Sequence, residues 1–221
     1  MKTYLQRMRA IALGWGAVGL VYGSSSILQR QGVVLQESAL DRMMPYNPHG
    51  VWLYLSFFVL IPLTYASIEL RQLPWLTRAM QLCAAICMVV FMLWPTTLMF
   101  PPIVGHSASD MAMRLLAAGD TTQNCLPSLH GALTLLCAWA LLDRKRPWRS
   151  LLALLWGLGI AYATVQTRRH LSADLSAGML LGLICGYLSY RLCSRPTTSA
   201  STAASCNAVT AHTISTQSPP P

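Results

Sequence analysis

Two short stretches concentrate the side chains able to do chemistry. NCLPSLHGALT, residues 124–134, sets Pro127, Ser128 and His130 at the mouth of an apolar run. TRRHLSADLSAG, residues 167–178, sets His170 and Asp174 at the mouth of another, with Arg168 and Arg169 immediately before them. Asp174 follows His170 by four residues, so on a helix the carboxylate lies one turn below the ring on the same face. A carboxylate so placed fixes the tautomer, orients the ring and makes its other nitrogen a better base or nucleophile. The plainer alternative is that the two groups satisfy each other between packed helices. The second histidine, the serine hydroxyl and two fixed positive charges weigh against it, because together they suit an anionic phosphate. Free amides at the start of a helix opening at PSLH would add to that attraction. A Ser128–His130 hydrolase is a weaker idea, since residues two apart on a helix face different ways.

The elements that must position these residues are apolar. Of 221 residues, 54% are hydrophobic and only 10% are charged, against roughly 25% charged in soluble domains. Six apolar segments, about 11–29, 51–70, 80–100, 127–142, 151–167 and 171–193, approach the ~20 residues a helix needs to cross a bilayer, the fourth and fifth being short. The fold class expected is all-α, a polytopic bundle of six transmembrane helices. The first segment follows Lys2, Arg7 and Arg9 as a signal peptide would, but its length favours an uncleaved helix.

The net charge of +9 is scattered between the segments, which speaks for topology and anionic headgroups rather than nucleic acid. Eleven Lys and Arg residues fall on one side of the predicted spans. Five, Arg30, Arg42, Arg114, Arg168 and Arg169, fall on the other. The positive-inside rule then puts both termini in the cytoplasm and both histidines at the extracytoplasmic face. Compact loops favour a bacterial plasma membrane. Residues 1–195 form the expected membrane domain. Residues 196–221, Ser-, Thr-, Ala- and Pro-rich, form an expected disordered cytoplasmic tail, in which His212 is inert.

The remaining polar residues have plain readings. Seven cysteines without CxxC spacing read as small core residues. Asp120 and Asn124 read as caps, or else shape the loop before PSLH. His106 reads as a loop residue after a turn. Asp41 binds a headgroup or arginine, or else serves as a turn or cap. Arg114, on a short surface helix, reaches phosphate or stays solvated. Gly178, Gly182 and Gly186 form overlapping GxxxG steps for close helix packing, which would brace the helix carrying Asp174. Trp52, Tyr54, Trp75, Trp94 and Trp148 lie near helix ends, as aromatic belts do.

PSLH at 127–130 followed by HLSAD at 170–174 resembles the second and third motifs of the type-2 phosphatidic acid phosphatase superfamily, over roughly residues 38–188. The resemblance implies that His170 attacks phosphorus, Asp174 holds it, and His130 protonates the leaving oxygen. Ser128, Thr167, Arg168 and Arg169 would bind the phosphate oxygens. It implies no cofactor and no metal, and no carboxylate cluster is present to hold one.

Two departures narrow the match. Thr164 stands six residues before His170 where the family's common motif has arginine, and LWPTTLMFPPIV, 93–104, offers Phe100 where the first motif supplies another. TVQTRRH, 164–170, is similar instead to a branch with a Thr-x-x-Thr-x-x-His motif, which includes inositol phosphotransferases that build sphingolipid headgroups. DRMMPYNP, 41–48, followed by VWLYLSFF, is similar to that branch's first outer loop and second helix.

The expected activity is hydrolysis of a lipid phosphate through phosphohistidine. If an alcohol replaces water at the intermediate, the same site becomes a phosphotransferase. A non-catalytic transporter or scaffold is the alternative of another class; metal-independent, vanadate-sensitive phosphate release separates it from both. The sequence leaves the oligomeric state open.

Overall fold

The computed structural model describes residues 1–27, 31–119 and 124–193. Asp120, Arg30, Arg195, Cys206, His212 and the 196–221 tail therefore lie outside the described residues. The chain is mainly helical: α1 (Lys2–Ile27), α2 (Ala39–Met43), α3 (Val51–Leu55), α4 (Phe57–Ser67), α5 (Leu73–Leu93), α6 (Ala108–Gly119), α7 (Leu129–Ala140), α8 (Pro147–Gln166) and α9 (Ser172–Cys193). Two short strands, β1 (Val33–Val34) and β2 (Thr96–Thr97), pair in parallel, Val33 opposite Thr96.

Among the described residues, four stretches are long and apolar enough to cross a membrane: Pro48–Ser67, Leu70–Leu93, Pro147–Gln166 and Ser172–Cys193. Each of the six expected segments overlaps a helix, but α1 is not among those four and α7 has only 12 residues. At 1.5 Å per residue α7 spans about 18 Å, well short of the ~30 Å of a hydrocarbon core.

Several boundaries differ from the expected ones for local reasons. The third segment runs over 73–93 rather than 80–100. Pro74 starts it, its missing N–H costing nothing in the first turn. Pro95 stops it by excluding Trp94 from helical geometry, and Trp94 sits at φ −140°. Freed from the helix, Thr96 and Thr97 pair with β1. The second segment is broken at Ser56, whose hydroxyl donates to Leu53 O at 2.6 Å and accepts from Trp156 Nε1 at 2.8 Å. A hydroxyl bonded back onto its own helix bends it.

The core lies between α5 and its neighbours α1, α7 and α9, built on residues such as Leu76, Met80, Cys83, Leu133, Leu136 and Cys185. Cys83, Cys87, Cys125, Cys137 and Cys185 are buried thiols, as expected of core cysteines, and Cys193 is exposed. Trp75 departs from the belt expectation: it is buried, and its indole N–H donates to Gly186 O at 2.8 Å. Trp52, Trp94 and Trp148 are exposed, as a belt requires.

The contact of α7 with α9 is made by glycine. A Cβ on Gly178 would stand 2.0 Å from Ser128 O, one on Gly182 2.7 Å from Ala132 O, and one on Gly131 2.7 Å from Leu175 O. Backbone therefore touches backbone. This is the contact by which helices associate where lipid tails remove the hydrophobic drive.

Candidate active site

The two histidines meet where α7 and α9 begin. Ser128 caps α7, its Oγ accepting from Gly131 N at 3.2 Å, and its own N–H donates to Asp174 O at 3.0 Å. The loop before it is braced by β2: Leu126 N donates to Thr96 Oγ1 at 2.9 Å. Asn124 enters that loop at φ 73°, a left-handed position that asparagine tolerates better than most residues.

Across this junction runs a chain of polar contacts. His170 Nδ1 lies 2.9 Å from Asp174 Oδ2, His170 Nε2 lies 3.2 Å from His130 Nδ1, and His130 Nε2 lies 2.8 Å from the Tyr54 hydroxyl. A carboxylate only accepts, so His170 Nδ1 carries the proton it donates to Asp174. In the neutral ring His170 Nε2 then holds the lone pair, pointing at His130. Asp174 is fully buried and His170 6% exposed. In so dry a site these groups interact more strongly than they would in water.

The arginines are held by the end of α8. Arg168 N donates to Val165 O at 3.0 Å and Arg169 N to Thr164 O at 3.2 Å, a Schellman closure with Arg168 at the left-handed position, φ 54°. That position usually takes glycine, and a Cβ there costs roughly 1–2 kcal/mol. Arg168 donates to Met44 O at 2.8 Å and lies 3.4 Å from Glu37, while its Nη1 has no hydrogen-bond partner among the described residues. Arg169, 7% exposed, lays its guanidinium 4.8 Å above the ring of Phe100, the residue standing where an arginine was expected. Thr167, offered by the resemblance as a phosphate ligand, donates its hydroxyl to Ala163 O at 2.8 Å, and Thr164 donates to Ile160 O at 2.7 Å. In this arrangement the two threonines finish the helix.

Asp41 is a cap. Its Oδ1 accepts from Ser172 N at 2.7 Å, at the first residue of α9, and its Oδ2 from Ser38 N at 2.8 Å. Burial alone would raise its pKa; hydrogen bonds from Ser38 and Ser172 outweigh it and hold the carboxyl below its usual value. Its stabilising charge is therefore present above the ordinary carboxylate pKa of ~3.9 and is lost only as pH falls through the lowered value. Arg114 is exposed and gives its guanidinium to the carbonyls of Ile103 and Gly105. His106 is exposed in the preceding loop.

Two residues at the site were not singled out for chemistry from sequence. Tyr54, expected in an aromatic belt, is 1% exposed and bonded to His130. Tyr46 buries its hydroxyl without a hydrogen-bond partner among the described residues; burial first, then the charge of Asp110, push its phenol up, and Arg169 opposes them. Around Tyr54 the sequence VWLYLSFF is apolar but for Ser56, so nothing local marked the tyrosine hydroxyl.

A cavity of about 340 Å³ ends on this chain of contacts, with His130 and Tyr54 in its wall and Trp15, Val18, Phe58 and Leu133 among its apolar lining. A second, of about 280 Å³, lies beside Arg168 and Leu171 and is lined also by Gln36, Glu37 and Arg42.

The sequence model of the PAP2 superfamily matches residues 28–188, spanning both motifs and most of the chain. The chain belongs to the PAP2 superfamily. No curated protein and no solved structure matches it. Membership of the PAP2 superfamily supports a phosphatase-type function on a phosphate ester.

Proposed function

We propose that this protein is a membrane phosphatase that hydrolyses a lipid phosphate through a phosphohistidine. The observation that carries the proposal is the unbroken chain Asp174–His170–His130, with contacts of 2.9 and 3.2 Å. His170 Nε2 attacks phosphorus as the bond from phosphorus to the lipid oxygen breaks. His130 gives that oxygen its proton. Water then attacks the phosphohistidine, His130 takes its proton, and inorganic phosphate leaves. Arg169 and Arg168, with Ser128 and the first amides of α7, are the groups placed to hold the phosphate oxygens as charge spreads over them.

A lipid substrate is supported by the apolar cavity ending on His130: the acid and the tail of the leaving alcohol would share one wall. α1 and the shorter α7 would bring the four long stretches to a bundle of six helices, with α7 crossing only part of the hydrocarbon core. Residues 1–195 are the catalytic membrane domain, followed by the tail. The eleven-to-five distribution of basic residues supports cytoplasmic termini and an extracytoplasmic site.

Detergent-purified protein given radiolabelled lipid monophosphate should release phosphate and trap an acid-labile, alkali-stable phosphoenzyme. His170→Ala should abolish both. Undiminished turnover in that variant refutes the mechanism. A phosphotransferase of the inositol-transferring branch is the second reading, favoured by the polar cavity beside Arg168, which has room for an alcohol acceptor. Product identification with and without acceptor alcohols decides between them.

A further inference from the structure

We infer that Tyr54 is a positioning residue for the acid: its hydroxyl serves the outer nitrogen of His130 in each protonation state that ring must visit. The inference rests on the phosphohistidine reading above.

The two histidines are alike in sequence but differ in what stands behind them. His170 turns Nδ1 to a carboxylate, Asp174 Oδ2, at 2.9 Å. His130 turns Nε2 to a phenol, Tyr54, at 2.8 Å, and Nδ1 to His170 at 3.2 Å. An ionised carboxylate can only accept a hydrogen bond and favours a positively charged ring. That suits a nucleophile, which becomes cationic when phosphorus bonds to Nε2. An acid that later acts as a base needs something else. With its proton on Nδ1 and the ring neutral, Nε2 carries a lone pair and wants a donor. As imidazolium, or after Nδ1 has given its proton away, Nε2–H wants an acceptor. A phenolic O–H turns to meet either demand, and it binds the cation less tightly than a carboxylate does, so the proton remains easy to give. Different partners thus divide the roles of two otherwise equal imidazoles.

Tyr54 is built for a fixed position. It is 1% exposed, its ring centroid lies 5.1 Å from that of His130, and Phe57 packs on the same imidazole at 4.7 Å. Among the described residues, the titratable groups around His130 include Tyr54 from α3 and His170 with Asp174 from the head of α9. Arg169 precedes His170, Tyr22 of α1 lines the shared cavity, and Cys87 of α5 lies against Pro127 O. α4 and α6 present apolar side chains there, Phe57 and Leu116.

The test compares two lipid monophosphates with the same tail, one an alkyl ester and one an aryl ester whose leaving oxygen needs little protonation. Tyr54→Phe removes one oxygen and keeps the ring. It should lower kcat on the alkyl ester about ten- to a hundredfold, the value of a hydrogen bond to a charged group, with KM nearly unchanged. The aryl ester should be largely spared. The alkaline limb of the alkyl-ester pH profile should move to lower pH, because the imidazolium has lost its acceptor. A fluorinated tyrosine placed at position 54 keeps the shape while weakening the oxygen as an acceptor, and should move the limb the same way. Equal loss on both esters, or an unmoved limb in both variants, overturns the inference. If the unaltered protein traps no phosphohistidine, the reading beneath fails instead.

Discussion

Asp174 is buried completely, yet only one of its oxygens has a protein hydrogen-bond partner among the described residues. A buried carboxylate is tolerated when the neighbour it faces is, or becomes, positively charged. Under the proposed mechanism His170 would become so at the moment of phosphorylation. Asp174→Asn keeps the shape and an oxygen able to accept from Nδ1, but removes the charge. Turnover should fall by roughly 10²- to 10⁴-fold, with the thermal midpoint in detergent little changed; an undiminished rate refutes the orienting role. His170 and Asp174 were legible because their relation is local, four residues apart across the head of α9. Tyr54 was not, since 76 residues separate it from the histidine it touches and an apolar run gives no periodicity by which to pick out one hydroxyl. Thr167 shows the converse: its motif was legible, but only the structure shows its hydroxyl spent on Ala163 O.

The helices that hold these residues depend on the absence of side chains. Gly178 meets Ser128 O, a backbone atom one residue from the head of α7, where a methyl would stand at 2.0 Å. No rotamer change relieves such a contact. Gly178→Ala must separate α9 from α7, and His170 and His130 ride on those two elements. We expect a loss of about 1–3 kcal/mol, typical of overpacking, read as a lowered thermal midpoint. Turnover should fall even at temperatures where the variant stays folded. Wild-type turnover in a variant of wild-type stability would show that α9 does not need this contact to aim its histidine. The glycine steps were readable from spacing alone. The limits of α5 were not readable from hydropathy, because Trp94, Leu98, Met99 and Phe100 carry apolar character past the end of the helix. Pro95 decides the matter through backbone sterics, and the segment it frees becomes the strand that braces the loop before Ser128.

At the scale of the molecule, charge and apolar surface lie where a bilayer would sort them. α8 exposes Leu151, Leu152, Leu155 and Leu158, and α9 exposes Leu180, Leu183, Ile184 and Leu188, rows that suit lipid tails rather than water. Arg7 donates to the carbonyls of Tyr65 and Ile68 at the end of α4, Arg149 to Ser67 O nearby, and Arg78 to Cys193 Sγ at the end of α9. Arg168 and Arg169 stand with the histidines at the opposite end of α9. The basic count made this division legible, but the depth of the site was not, since it follows from a 12-residue α7 capped by a fully buried Ser128. The orientation we propose can be checked with cysteines, because five of the native thiols are buried and silent while Cys193 is exposed. In a Cys206→Ser background, a membrane-impermeant maleimide applied to intact cells should leave Cys193 unlabelled until the membrane is opened. Met99→Cys, at a position 81% exposed in the segment after β2, should label at once. Labelling in the reverse order would place the histidines on the cytoplasmic side, where a lipid phosphate made inside the cell, not one delivered to the outer leaflet, would be the substrate.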